Sequence, residues 1–224
     1  MKLTWCGHAT FYVETEDGTV LVTDPYNAET SGYKPFEQPA DIVVMSSDTD
    51  DFHNNEHLVP GEHSVVNALN VAQAGGTHTE KGIRFQAIEA MENVAHRGGH
   101  PDQNGMYRFE VDGISVGHMG DMGNALSEKQ LEFFKGVDVL LALTGGYPTI
   151  ALDDLKTVID KTQPKLIIPM HFQTLRLKNN DSLWLGDFLN YFEKSAIDFA
   201  ADSRVTLTKQ DLPDAPRVLV LDYV

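Results

Sequence analysis

The segment Ala40–Asn55, ADIVVMSSDTDDFHNN, carries the strongest signal in the chain. Its apolar part, Ile42–Met45, predicts a buried β-strand, because a short apolar run between polar residues is typical of a strand covered on both faces. Three aspartates and one histidine follow within six residues: Asp48, Asp50, Asp51 and His53. Loops at strand ends often carry function, since the sheet holds their backbone in place. Asp and His are both metal ligands, so the segment indicates either a metal site or a solvated acidic turn.

The composition is that of a soluble globular protein, with 224 residues, 42% of them hydrophobic and 22% charged. The net charge is −16, and a surface this acidic disfavours nucleic acids and anionic membranes as partners. The single cysteine, Cys6, excludes an internal disulfide, and the N-terminal residues lack a signal-peptide pattern. We therefore expect a single domain over residues 1–224. We expect the protein to lie in the cytoplasm and to act on a small molecule, and the sequence is compatible with a homo-oligomer.

Strand patterns dominate the first half of the chain, and helices alternate with strands in the second. Residues 2–24 predict three strands, two of them joined at the Asp17-Gly18 turn. Ser127 begins a capping-box pattern and predicts a helix that ends near Lys135. Further helices are predicted over residues 151–162 and over Ser182–Lys194. This order of elements predicts an α/β fold.

Polar side chains follow several of the predicted strands at the point where each strand ends. Besides the aspartates and histidine of the opening segment, they are Glu92 and His96, Asp121, and His171. If these strands are neighbours, their ends meet at one edge of a sheet. Oxygen and nitrogen ligands from distant parts of the chain then come together there.

Four motifs in the right order resemble the metallo-β-lactamase superfamily, and more closely the small metal-dependent hydrolases related to ascorbate-6-phosphate lactonase. They are Trp5–Phe11 (WCGHATF) with Thr23–Tyr26 (TDPY), Gly117–Gly123 (GHMGDMG), Leu143–Tyr147 (LTGGY) and Ile167–Phe172 (IIPMHF). The resemblance covers nearly the whole chain. It implies a four-layer αββα sandwich.

The chain departs from the family at its main ligand loop, where the family has His-x-His-x-Asp-His. In the preferred register, Asp51 is the motif aspartate and His53 its last histidine, with Phe52 inserted between them. Ser47 and Thr49 then replace the two leading histidines.

A second register, read back from His53, puts Asp48 and Asp50 at the two leading positions and loses the aspartate to Phe52. Glu92 is the nearest counterpart of the family's third histidine. Under either register, the first of the family's two metal sites has lost its leading imidazoles.

The resemblance implies that the second metal site is kept. Its ligands would be Asp51, His53, Asp121 and His171. An oxygen-rich first site would draw on Asp48, Asp50, Glu92 and His96. We expect one divalent cation, zinc by family, with Mn, Fe or Mg as alternatives, and no strong case for a second.

Other residues take supporting roles in this interpretation. His8, Asp24 and His118 would orient the metal ligands by hydrogen bonding, and Tyr147 would face the substrate. Asp51 or Asp121 would orient a metal-activated water and accept its proton.

The resemblance implies hydrolysis of an ester, lactone or phosphoester. Arg97, Arg176 and Lys178 are the nearest basic residues for a phosphate, but they form no cluster. The alternative hypothesis, suggested by the lost histidines, is a non-catalytic protein of the same fold that acts as a binding or assembly module.

Overall fold

The computed structural model describes residues 1–47, 52–92, 103–178 and 181–223. Two β-sheets lie face to face, and the main apolar core fills the space between them. Phe11 and Ile42 enter this core from the first sheet, and Phe85 and Leu141 enter it from the second. The α/β sandwich expected from the sequence is confirmed.

The first sheet has six strands in the order β13-β1-β2-β3-β4-β5. They are β1 (Lys2–Gly7), β2 (Thr10–Glu14), β3 (Val20–Thr23), β4 (Ile42–Met45), β5 (Ser64–Asn67) and β13 (Arg204–Thr206). Strands β1 to β3 form an antiparallel meander, while β4 runs parallel to both β3 and β5. The three strands predicted over residues 2–24 and the strand Ile42–Met45 are confirmed.

The second sheet has eight strands in the order β12-β14-β11-β10-β9-β8-β7-β6. They are β6 (Thr77–Glu80), β7 (Ile83–Ala90), β8 (Asn104–Val111), β9 (Ile114–His118), β10 (Val139–Leu143), β11 (Leu166–Met170), β12 (Ile197–Phe199) and β14 (Arg217–Val220). Strands β9, β10 and β11 are parallel, and β7 shares their direction because β8 is antiparallel to both of its neighbours.

Strand ends from both sheets therefore meet at one edge of the sandwich. The ends of β7, β9, β10 and β11 lie together there because these strands point the same way. The end of β4 joins them, since the backbone N–H of Gly105 in β8 donates to the carbonyl of Ser46 at 2.7 Å. The convergence predicted from the sequence is what positions the site.

Within the described residues, five short α-helices accompany the sheets. They are α1 (Ala28–Ser31), α2 (Ala68–Gln73), α3 (Glu128–Phe134), α4 (Leu152–Thr162) and α5 (Leu185–Leu189). The Ser127 capping box at the start of α3 is present, with both reciprocal hydrogen bonds to Gln130. None of the helices within the described residues has the length and apolar character needed to cross a bilayer.

The helix predicted over Ser182–Lys194 is wrong in extent, because only Leu185–Leu189 is helical. Before it, the chain is extended, and Trp184 forms an isolated parallel bridge with Gln173. The backbone N–H of Gln173 donates to the carbonyl of Leu183 at 2.8 Å. Pairing with the loop after β11 thus overrides the local helical pattern.

Candidate metal site

His53 points into the protein and is held by Asp24. The side chain of His53 is 1% exposed, and its Nδ1 lies 3.1 Å from Oδ2 of Asp24. The other carboxylate oxygen accepts the backbone N–H of Ser46 at 2.6 Å. Burial alone would raise the pKa of Asp24, but His118, His53 and Ser46 together hold the pKa below its usual value. An ionised Asp24 accepts a hydrogen bond from Nδ1–H of His53, so the lone pair of the ring lies on Nε2, the nitrogen that can bind a cation.

Asp121 and His171 meet His53 at the same edge. Oδ2 of Asp121 lies 3.7 Å from Nε2 of His53, and Oδ1 lies 3.4 Å from Nε2 of His171. The Asp121 side chain is 16% exposed, so its carboxylate has access to solvent. The structure thus brings together three of the four ligands expected from the sequence.

His8 joins this group, although the sequence interpretation gave it only an orienting role. One side-chain nitrogen each from His8, His53 and His171 lies within 4.8 Å of the others. The rings of His8 and His171 have centroids 3.8 Å apart. Burial, followed by the neighbouring His171 and His53, lowers the pKa of His8 well below its usual value. A neutral imidazole is the form that binds a cation, so His8 is a candidate ligand.

The backbone around His8 explains why its ring turns inward. Gly7 and His8 both adopt positive φ, 117° and 50°, in an irregularity at the end of β1. The carbonyl of His8 accepts the Nε1–H of Trp5 and the backbone N–H of His171, each at 3.0 Å. The bond from Trp5 fixes the turn itself, and the bond from His171 joins the segments of two candidate ligands.

Backbone strain concentrates at the site. Of the six non-glycine residues with positive φ among those described, three are His8 (50°), Asp24 (36°) and His171 (57°). Such conformations cost about 1–3 kcal/mol each and persist where the surroundings impose them. Their clustering indicates a site whose geometry is kept at the expense of stability.

His118 lies beneath the site as a buried structural link. Its Nε2–H donates to the carbonyl of Ala9 at 3.0 Å, and its Nδ1 accepts the N–H of Gly120 at 2.9 Å. Burial lowers the pKa of His118, while the nearby Asp24 opposes that shift. His118 is therefore neutral and stacks on the ring of Tyr107, with centroids 4.7 Å apart. This placement suits the orienting role expected for it.

The remaining predicted residues have varied positions. Glu92 is buried, 1% exposed, just after β7, and its carbonyl accepts the side-chain N–H of Asn124 at 2.9 Å. Tyr147 is 61% exposed on the loop after β10. Asp48, Asp50, Asp51 and His96 lie outside the described residues.

Phe52, the extra residue of the ligand loop, does not turn His53 outward. Its ring stacks on that of His8, with centroids 5.1 Å apart and planes at 30°. Ser47, at the position of the first leading histidine in the preferred register, is fully buried.

Asn104 is a site residue that the sequence interpretation missed. It is buried at the start of β8, and its Oδ1 accepts the backbone N–H of Asp121 at 3.0 Å. Its side-chain N–H donates to the carbonyl of Met119 at 3.4 Å. Asn104 therefore fixes the loop that carries Asp121. A lone asparagine before a strand has no pattern that distinguishes it from a turn residue.

The basic candidates for a phosphate contact make other contacts. Arg176 lies over the ring of Tyr223, with Cζ 5.7 Å from its centroid, and the ammonium of Lys178 donates to the carbonyl of Glu29. Arg97 lies outside the described residues. Both Arg176 and Lys178 therefore contact other parts of the protein.

A two-sheet sandwich with histidines and an aspartate at its strand ends defines the metallo-β-lactamase class of fold. A family model described as "Beta-lactamase superfamily domain" matches residues 2–171. The chain belongs to the metallo-β-lactamase superfamily.

Its relatives span most of its length. A UPF0173 metal-dependent hydrolase from Anaeromyxobacter sp. (strain K) is 27% identical over 209 residues, covering 77% of this chain and 75% of the relative. Another from Pelotomaculum thermopropionicum is 24% identical, covering 92% and 96%. A crystal structure of a proposed Zn-dependent hydrolase from Thermotoga maritima is 32% identical, with a TM-score of 0.78 and coverage of 100% and 99%.

Proposed function

We propose that this protein is a metal-dependent hydrolase of an ester, lactone or phosphoester, with one divalent cation held by His8, His53, His171 and Asp121. The observation that carries the proposal is the convergence of three buried imidazoles, within 4.8 Å of one another, beside the Asp121 carboxylate. The names of the relatives, metal-dependent hydrolases, support the same activity.

The residues present fit a cation. His53 presents Nε2 because Asp24 holds its Nδ1, and this carboxylate–histidine pairing is typical of metal ligands. The Nδ1 of His8 is buried and has no hydrogen-bond partner in the part of the chain that the structure describes. Because an unpaired buried nitrogen costs free energy, a bound cation would remove that cost at His8.

The donor set favours zinc over magnesium. Three imidazoles and one carboxylate are borderline ligands that suit Zn, while Mg prefers sites built from oxygen. Manganese or iron remains compatible with a mixed nitrogen and oxygen set.

The chain's own residues supply orientation and proton transfer. A bound cation would lower the pKa of a coordinated water and polarise the scissile carbonyl or phosphoryl group. Asp121 is held by Asn104, reaches solvent, and would accept the proton of the attacking water. The buried hydrogen bond between Asp24 and Nδ1 of His53 holds that ring with Nε2 toward Asp121.

Metal analysis and a substrate panel test this proposal together. The untagged protein is analysed by mass spectrometry for bound metal, and hydrolysis of ester, lactone and phosphoester substrates is measured. The variants are Asp121→Asn and His171→Gln. His78→Gln is the matched control, because His78 is 43% exposed on β6 and belongs to the far edge of the second sheet.

We expect about one metal per chain in the wild type and in His78→Gln, with loss of activity in both site variants. Absence of bound metal, together with no change in melting temperature on adding Zn or Mn, would overturn the proposal. Bound metal without hydrolysis of any substrate would favour the binding or assembly module, which the loss of both leading histidines first suggested.

A further inference from the structure

Four exposed apolar side chains lie on the segments that follow β10 and β11, which flank His171, and we name them the apolar rim. They are Tyr147 (61% exposed), Leu175 (86%), Leu183 (41%) and Trp184 (53%). Large apolar side chains left open to water at a site's edge mark a surface that binds something.

The loop that carries Tyr147 bridges the two ligand-bearing loops. At one end, the N–H of Thr144 donates to the carbonyl of Met170 at 3.0 Å, directly before His171. At the other end, the N–H of Ile150 donates to the carbonyl of Met122 at 3.1 Å, directly after Asp121. Tyr147 therefore lies on a loop fixed beside both Asp121 and His171.

Leu183 is joined to the same loop. Its backbone N–H donates to the carbonyl of Gly145 at 2.7 Å, and its Cδ1 would lie 2.7 Å from a Cβ placed on Gly146. Gly145 itself packs so closely that a Cβ there would lie 2.0 Å from the carbonyl oxygen of His171. Tyr147 and Leu183 are thus tied to the loops of the proposed metal site through backbone contacts.

We propose that the apolar rim selects uncharged carboxylic esters or lactones that carry an alkyl or aryl group, in preference to phosphoesters. This inference rests on the proposed hydrolase function. Hydrolysis adds water across the acyl C–O bond, giving a carboxylic acid and an alcohol with no redox change. The rim would bury the apolar group while the carbonyl meets the site.

The charge distribution favours an uncharged substrate. The net charge of −16 repels anions, and Arg176 and Lys178 are directed to Tyr223 and Glu29. A second copy of this chain fits less well as the occupant, because a stable interface takes roughly 20–30 residues a side, and the rim offers four.

The first test compares chain length. The metal-loaded protein is assayed with p-nitrophenyl hexanoate and p-nitrophenyl acetate, with γ-octalactone and γ-butyrolactone, and with p-nitrophenyl phosphate. We expect the longer member of each pair to have a kcat/KM at least about tenfold higher, since apolar contacts of a few methylenes give discrimination of this order.

Rim variants make the test specific. In Tyr147→Ser and Leu183→Ser, the ratio of kcat/KM for hexanoate over acetate should fall about fivefold or more. Val65→Ser is the matched control, because Val65 is 45% exposed on the edge strand β5, and it should leave the ratio unchanged. An unchanged ratio in both rim variants, or a preference for p-nitrophenyl phosphate, would overturn the inference.

A binding measurement separates this inference from the hydrolase proposal. The chain has two tryptophans, of which Trp5 is 1% exposed and Trp184 is 53% exposed. A fluorescence change that is lost in Trp184→Phe therefore reports binding at the rim. Octanamide, but not acetamide, should shift the emission of Trp184 saturably in the metal-free protein, and Leu183→Ser should weaken that shift. If no substrate is hydrolysed but octanamide binds in this way, the hydrolase proposal fails and the rim stands as an apolar ligand site. If octanamide has no effect, the inference about the rim fails.

Discussion

Replacing Asp24 with asparagine tests whether this buried carboxylate controls the tautomer of His53. The amide oxygen of Asp24→Asn would still accept the N–H of Ser46, now 2.6 Å from Oδ1. The amide nitrogen would then face Nδ1 of His53, now 3.1 Å from Oδ2. Since an amide N–H only donates, His53 would have to accept at Nδ1 and carry its proton on Nε2.

That proton would occupy the lone pair proposed to bind the cation. Loss of such an orienting partner typically lowers metal affinity 10–100-fold, which corresponds to about 1.4–2.7 kcal/mol of binding free energy. We expect Asp24→Asn to show a loss in this range. The assay is competition against a chromophoric chelator with Zn and, separately, with Mn.

Asp138→Asn is the matched control. Asp138 is also buried, 5% exposed, and accepts the backbone N–H of Ser115 at 2.9 Å, but it pairs with Lys165 and Lys209 away from the site. Both variants should lose stability, by about 1–3 kcal/mol for a damaged charged hydrogen bond, and only Asp24→Asn should lose metal affinity. Equal affinity of a folded Asp24→Asn and the wild type would refute the tautomer argument.

Three further predictions follow from the packing and the pKa shifts. Gly145→Ala would place a Cβ 2.0 Å from the carbonyl oxygen of His171, so we expect the free energy of unfolding, measured in urea, to fall by about 1–3 kcal/mol. Gly186→Ala in α5 has open space at that position and should be neutral or stabilising. Equal effects of the two variants would contradict this prediction. Burial raises the pKa of the Cys6 thiol to about 12. Because the thiolate is the reacting form, the reaction of Cys6 with a disulfide reagent at pH 8 should be about a thousandfold slower than that of free cysteine. Comparable rates would show that the thiol is accessible. Burial lowers the pKa of His118 in the folded state, so its contribution to stability is present above the unfolded pKa of about 6.5 and is lost as pH falls toward the folded value. The loss amounts to at most about 1.4 kcal/mol per pH unit. Urea unfolding of the metal-free protein between pH 7.5 and 5.5 should show this loss in the wild type and a smaller loss in His118→Gln.

Much of the fold was predictable because its signals are local. Strand β4, the capping box before α3 and the helix over residues 152–162 agree with apolar periodicity and capping residues. The helix predicted over Ser182–Lys194 shows the limit of such signals. Its first residues have the side chains of an amphipathic helix, yet their backbone groups pair with the loop after β11. A contact with a distant segment leaves no local pattern.

The site shows the same division between local motif and tertiary contact. Asp121 and His171 each end a predicted strand and lie in motifs that the family shares, so their meeting was expected from the sequence. The role of Asn104 depends on a hydrogen bond to a residue 17 positions later. No spacing rule signals such a contact.

His8 shows that a candidate ligand can come from outside the main ligand loop. The ligand loop after β4 has lost two histidines relative to the family, which argues for a weakened site when that loop is considered alone. In the structure, the turn between β1 and β2 brings a neutral imidazole to within 4.8 Å of His53 and His171. Trp5 and the backbone of His171 hold this turn through the His8 carbonyl. Counting histidines in one motif therefore underestimates the donor set, because a ligand's position depends on the fold and not on its neighbours in sequence.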